Sequence, residues 1–267
     1  MKCLSKRILE AINSGVRMGL SLDDFDDTND KLPTLKKDIR TKAHNAIEIY
    51  TEILNKQCET LQFDESTLNM LKLCKDFKYT PLGDDVFKKL VTEFLKQTGN
   101  YEADLNWIDT SNVQMFNYLF YKSPFNGDIS NWDVSNATTM IAMFNESNFD
   151  GDISKWNVSS VKYMSSMFYK SLFKGNISNW NVSNVISMSE MFAYNEFDGD
   201  ISKWDVHNVG DMTGMFKHSF FKGNISNWNV SNVKNMSEMF YESKYNGDIS
   251  KWDVSSVENM SSMFREN

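Results

Sequence analysis

The chain has 267 residues, 41% of them hydrophobic, which is long enough for one large or two modest folded units and too apolar to stay disordered. Its formal net charge of -8 comes wholly from the part after Asn100, where 12 basic residues meet 20 acidic ones against 16 of each before it. That balance argues against nucleic acid or an anionic membrane as partner of the second part. The three cysteines, Cys3, Cys58 and Cys74, show no metal-ligand spacing and imply no disulfide framework.

Taken in order, residues 1–20 read as an amphipathic helix or leader, with Leu4, Ile8, Ala11, Ile12 and Val16 on one face. Glu10 and Arg17 interrupt what a signal peptide would need as a continuous apolar core, so neither a secretion signal nor a membrane-inserting segment is expected. An acidic linker follows over 21–32, carrying Asp23, Asp24, Asp26, Asp27 and Asp30. Residues 33–100 read as a small all-α region. Its helices start at Pro33, near Ser66 or Thr67, and at Asp84, which is placed to cap the last; Gly99 stops that helix.

From 101 to 267 one pattern recurs seven times at a period of 24 residues. Glycines fall at 127, 151, 175, 199, 223 and 247, and tryptophans at 132, 156, 180, 204, 228 and 252. Such a period means a solenoid, whose units cannot bury their apolar faces singly. In the unit from Ile153 to Asn176, the spacing of Ile153, Trp156, Val158, Val161 and Met164 is that of leucine-rich repeats. A strand would turn Trp156 and Val158 inward and Lys155, Asn157 and Ser159 outward. Val161, Met164, Met167 and Phe168 then fit one face of a short helix, and Gly175 is placed to supply a backbone angle closed to other residues. The expected fold class is therefore α/β: a leucine-rich-repeat-type solenoid with a parallel sheet inside and short helices outside, preceded by the all-α region.

The motif FxGDISxWxVSxVxxMSxMF resembles the BspA-like leucine-rich surface-protein repeat, known also from mycoplasma and listerial lipoproteins. The resemblance implies a non-enzymatic solenoid used in adhesion or protein interaction, with no catalytic residues and no cofactor. The segment GNYEADLNWIDTSNV and the leader pattern MKxLxxxIxEA also resemble proteins of tailed phages; there the resemblance implies processing between Glu10 and Ala11 and packaging into the virion.

The repeats contain only His207 and His218, no cysteine, and acidic residues that recur with the period, so no catalytic pocket is expected. The candidate binding surface is the outward strand face: Asp133, Lys155, Asn157, Asn181, Lys203, Asp205, His207, Asn229, Lys251 and Asp253. Trp107 joins them as an out-of-phase tryptophan, expected either to anchor a ligand or to be covered by the N-terminal helices. The expected partner is a protein or glycan, with no nucleic acid and no membrane insertion. End-to-end self-association is expected through the last repeat, where Trp252, Val254 and Met263 lack a following coil. Two other settings fit the same residues: a virion-associated protein whose solenoid is a spacer, and an intracellular effector acting through its helical N-terminal region. The corresponding locations are the virion, the cytoplasm, or a surface reached without a classical signal.

Overall fold

A computed structural model describes residues 80, 81 and 83–267. The chain divides into two units, Met1–Leu73 and Cys74–Asn267, and the described residues belong to the second. The helices expected before residue 80, the acidic linker and the Glu10–Ala11 processing site lie outside the described residues.

Helix α1 spans Asp84–Thr98 and buries Phe87, Leu90, Val91, Phe94 and Leu95, a stripe at helical spacing. Asp84 and Asp85 in its first turn and Lys96 in its last complement the helix dipole. Gly99, at φ 60°, ends it by donating its N–H to the Leu95 carbonyl. The N-cap is Gly83, not Asp84. The Asp84 carboxylate instead accepts the backbone N–H groups of Gln114 and Met115 at 2.8 and 3.2 Å, tying α1 to the first coil.

Seven coils follow in parallel register, joined along one column that runs from Met115 through Thr139, Tyr163, Ser187, Asp211 and Asn235 to Asn259. The eight apolar positions of the Ile153–Asn176 unit are all buried, from Ile153 and Trp156 to Phe168 and Phe173. Trp156, Trp180, Trp204 and Trp228 are 3–4% exposed, as an inward column requires.

The local structure differs from the expected α/β unit. Among the described residues α1 is the one helix, and the coils contain none. The stretch expected to be helical is where the coils pair. The N–H groups of Met164, Ser166, Phe168 and Lys170 donate to the carbonyls of Ser187, Ser189, Met191 and Ala193 on the next coil at 2.7–3.0 Å. Between them the N–H groups of Met167, Tyr169 and Ser171 turn back to Met164, Ser166 and Phe168 of their own coil. The result is a ribbon of overlapping turns, with Ser166 and Lys170 in the left-handed region at φ 54° and 50°. The strand expected over Ile153–Ser159 is likewise a pair of turns, closed by Trp156 N–H to the Ile153 carbonyl and Val161 N–H to the Val158 carbonyl. Apolar spacing i, i+3 suits a chain of turns as well as a helix, and the inter-coil bonds decide for the turns.

Because the register is parallel, like stacks on like. Phe168 lies 5.7 Å from both Phe144 and Phe192, within 10° of parallel, and Phe173 continues a second ladder from Phe149 to Phe197. A third column is polar as well as aromatic. Each indole Nε1 from Trp132 to Trp252 donates to the carbonyl of the residue 27 positions earlier, on the preceding coil, at 3.0–3.2 Å. A ring that large is buried fully only when its N–H has a partner, so the bond lets the column be both deep and satisfied.

Gly175 does not supply an unusual torsion. A Cβ built on it would lie 2.8 Å from the Phe173 ring, so the position is glycine because that ring packs on its α-carbon. Unusual torsions fall instead on non-glycine residues such as Ser166, Glu190 and Glu238, and at Gly214.

Candidate interaction surface

The solenoid offers two long faces, one made by the turns between Gly175-type and Val161-type positions, the other by the ribbon. The turn face carries the polar residues singled out in the sequence. Lys155, Lys203 and Lys251 are exposed there, as are Asp133, Asn157, Asn181, Asp205, Asn229 and Asp253. The carboxylates and amides of this set are engaged with the backbone. Asp133 accepts Ser135 N–H at 2.9 Å, and Asn157, Asn181, Asn229 and Asp253 accept the N–H two residues on in the same way. Asp205 accepts the His207 N–H and also meets its Nδ1 at 2.8 Å. A neighbouring asparagine column, Asn136, Asn184, Asn208 and Asn232, donates Nδ2 to carbonyls of the preceding coil at 2.7–2.8 Å. These side chains close and stitch the turns, a role their spacing in Asx-x-Ser already allowed.

Their charges reflect that work. The bond from the His207 side chain holds the Asp205 carboxyl below the usual range. Bonds from the backbone and side chain of Ser154 lower Asp152, and Ser250 acts likewise on Asp248. Side-chain and backbone bonds from Ser202 and Ser255 lower Asp200 and Asp253.

Trp107 is not on either face. It is 5% exposed and packs edge-on against Phe94 of α1 at 5.6 Å, while Phe87 covers Phe116 and Trp132, each at 5.4 Å. Of its two expected fates, covering is the one observed, and a covered ring is no ligand anchor. Among the described residues its Nε1 has no partner, whereas each in-phase indole donates to a carbonyl of the preceding coil and the first coil has none before it.

The ribbon face was not marked by sequence reasoning. Outside the last coil, most exposed large hydrophobic residues lie on the ribbon or on the bridge column that borders it, Met115, Tyr118, Tyr121, Tyr163, Ile186 and Tyr194, while Leu172 and Phe220 stand in the segment that follows it. The cation–aromatic pairs gather there too, with Lys122 over Tyr121, Lys170 over Tyr169 and Tyr194, and Lys217 over Tyr241. A bond with Glu238 raises the Lys217 pKa. In the last coil Val254, Met260 and Phe264 are 39–48% exposed, whereas Trp252 and Met263 are buried. The signal in the sequence was the set of columns that vary in an otherwise repeated unit, but a helical reading gave no sign that the same column of neighbouring coils meets side by side.

Among the described residues no group of three His, Cys, Asp or Glu side chains is placed to hold a metal ion, and no helix is long and apolar enough to cross a membrane.

A regular solenoid of stacked aromatic ladders with variation confined to its surface defines a repeat protein. Two copies of one family model match, over residues 88–196 and 170–267, and the chain belongs to that family, described as "Mycoplasma protein of unknown function, DUF285". It is a repeat family often grouped with leucine-rich-repeat-like surface proteins. No curated protein and no solved structure matches the chain.

Proposed function

We propose that the protein is a non-enzymatic recognition solenoid of the BspA-like surface type, and that it binds a protein partner through its ribbon face. The observation that carries this reading is the asymmetry between faces. The turn face is polar and its amides and carboxylates are engaged with the backbone, whereas the ribbon face exposes tyrosines, aliphatic side chains and cations on the first, third and fourth coils. Exposed apolar patches rimmed by polar groups mark interaction sites, and tyrosine is enriched at the centres of interfaces. Repetition along the axis adds avidity to contacts that are each weak. The family's frequent grouping with surface repeat proteins supports adhesion as the setting. Glycan recognition by the turn face, through Lys155, Lys203 and Lys251, is the competing reading.

The test is to pan a random twelve-residue peptide library against the whole protein and titrate the selected peptides into two variants. Changing Tyr163, Ile186 and Tyr194 to Ser is expected to weaken binding at least tenfold at unchanged melting temperature. Changing Lys155, Lys203 and Lys251 to Glu is expected to leave binding intact. The reverse outcome assigns recognition to the turn face, and a library that yields no binder removes the protein-partner reading.

A further inference from the structure

The cations of the ribbon face differ in whether an acid answers them. Lys122 pairs with Glu146 at 3.6 Å, Lys217 with Glu238, and Lys234 with Glu258 at 3.7 Å. Arg265 meets Glu266 at 3.4 Å, and Nδ1 of His218 lies 3.1 Å from Glu242. Lys162 and Lys170 are exposed, and among the described residues neither meets a carboxylate. Lys162 opens the ribbon of the third coil and Lys170 closes it, so the two bracket Tyr163 and Tyr169. The fourth coil adds Ile186, whose N–H donates to the Lys162 carbonyl at 2.9 Å, and Tyr194, whose ring centre is 5.1 Å from the Lys170 ammonium.

These two coils therefore present two unpaired ammonium groups together with the phenols of Tyr163, Tyr169 and Tyr194, all able to donate hydrogen bonds, beside the exposed Ile186. The one ribbon acid on the same coils, Glu190, already accepts from Ser166 Oγ at 3.3 Å. Such a surface is complementary to carboxylates accompanied by an apolar side chain. Along the axis it is short, because Glu146 stands on the second coil and Asp211, Glu238 and Glu242 on the fifth and sixth. A continuous polyanion such as nucleic acid carries charge at every step and would run onto those acids, in a chain whose formal charge of -8 lies in the solenoid part. A polypeptide can confine its acids to a few residues.

Resting on the ribbon-face reading above, we propose that the third and fourth coils bind a short acidic segment of the partner polypeptide, its carboxylates on Lys162, Lys170 and the tyrosine hydroxyls and an apolar residue against Ile186. Opposite charges steer and orient such a partner, and because both lysines are exposed the attraction weakens as salt rises. The other ribbon cations give no comparable preference, since the ribbon's own acids already neutralise them.

The experiment is fluorescence anisotropy on the full chain with three labelled twelve-residue peptides of one design. Each has two leucines and four variable positions in a Gly-Ser background, and the four are all Glu, all Lys or all Gln. The Glu peptide is expected to bind at least tenfold more tightly than the Lys peptide, with the Gln peptide between them. Its affinity should fall at least tenfold between about 0.01 and 1 M salt, as the Debye length shrinks from about 30 to 3 Å. Lys162→Glu with Lys170→Glu should reverse the order of the Glu and Lys peptides at unchanged melting temperature. Glu is the natural residue at the position of Lys170 in three other coils, Glu146, Glu242 and Glu266, with the same left-handed torsion, and at that of Lys162 in the last coil, Glu258, so the double variant suits the fold. Lys155→Glu with Lys203→Glu on the turn face makes the same change in net charge and should leave the order intact. A Lys peptide bound as tightly as the Glu peptide, an order that survives in the ribbon double variant, or one that reverses equally in the turn-face pair overturns the proposal. So does a labelled twelve-nucleotide oligothymidylate that binds more tightly than the Glu peptide, which would make the surface a nucleic-acid site. Library peptides that bind the ribbon face without acidic residues would overturn it while leaving the protein-partner reading in place; loss of all peptide binding in the turn-face lysine variant would overturn both.

Discussion

At Gly175 a missing side chain holds the place of an aromatic ring. The Phe173 ring atoms come within 2.8–2.9 Å of where a Cβ would stand, and the same ring-on-glycine packing recurs at Gly151, Gly199 and Gly223. Gly175→Ala is therefore expected to cost about 1–3 kcal/mol through overpacking. The cost should shrink when Phe173→Leu supplies room, because the two substitutions share one contact. Denaturant titration of the four-member cycle checks this, and equal costs in both backgrounds would make the glycine a matter of backbone torsion after all. The glycine column was plain in the sequence, but its cause was not. Periodicity says that a position is constrained, and only the packed ring says by what. Tyr245 shows the same limit: it continues the phenylalanine ladder, yet its buried hydroxyl has no partner among the described residues, and desolvation pushes its pKa up to about 12.

On the scale of the element, the turn that opens each coil depends on a side-chain oxygen two residues before the N–H that it accepts. Asp104 and Asp128 do this in the first two coils, and from the third on Asp152, Asp200 and Asp248 alternate with Asn176 and Asn224. The bonds favour the ionised carboxylates, so the folded pKa values of Asp152, Asp200 and Asp248 lie below the ordinary 3.8. A depressed acid contributes stability that is fully present above its unfolded pKa, about 3.9, and is lost as the pH falls through the lower folded value. Changing Asp152, Asp200 and Asp248 to Asn keeps the acceptor and removes their share of the titration. The melting temperature of the variant should then fall less steeply than that of the natural chain below about pH 4, and the two pH profiles should run parallel above about pH 5. Calorimetry across that range measures the difference, and identical slopes below pH 4 would refute it.

Across the whole molecule, stability passes from coil to neighbouring coil, so the first coil needs a cover. Helix α1 provides it, with Phe87 on Phe116 and Trp132 and Phe94 on Trp107. Lys88 adds a bond from its ammonium to the Asn117 carbonyl at 3.2 Å. Phe94→Ala should cost about 3–5 kcal/mol and shift tryptophan emission to the red as Trp107 meets water. Hydrogen exchange should quicken in the first coils, while the amides of Phe192 and Phe216, which are bonded between later coils, keep their protection. Uniform loss of protection along the solenoid would show that the coils do not behave as a nearest-neighbour chain.

The sequence by itself determined the repeat length, the number of coils, their register and the identity of the core, because stacking can bury the same eight positions only if they recur without slippage. It also made Trp107 an exception, out of phase with the tryptophan column, but left open whether a helix or a ligand meets it, and the packing of Phe94 supplies the answer. Tertiary structure alone decided that the Met164–Lys170 stretch is a paired ribbon and not a helix. An i, i+3 apolar pattern satisfies either, and the choice falls to where the backbone N–H groups find carbonyls, here on the next coil. That choice also decided which surface is apolar. Tyr169, Tyr194 and His218 meet only once the ribbon places successive coils directly beside one another.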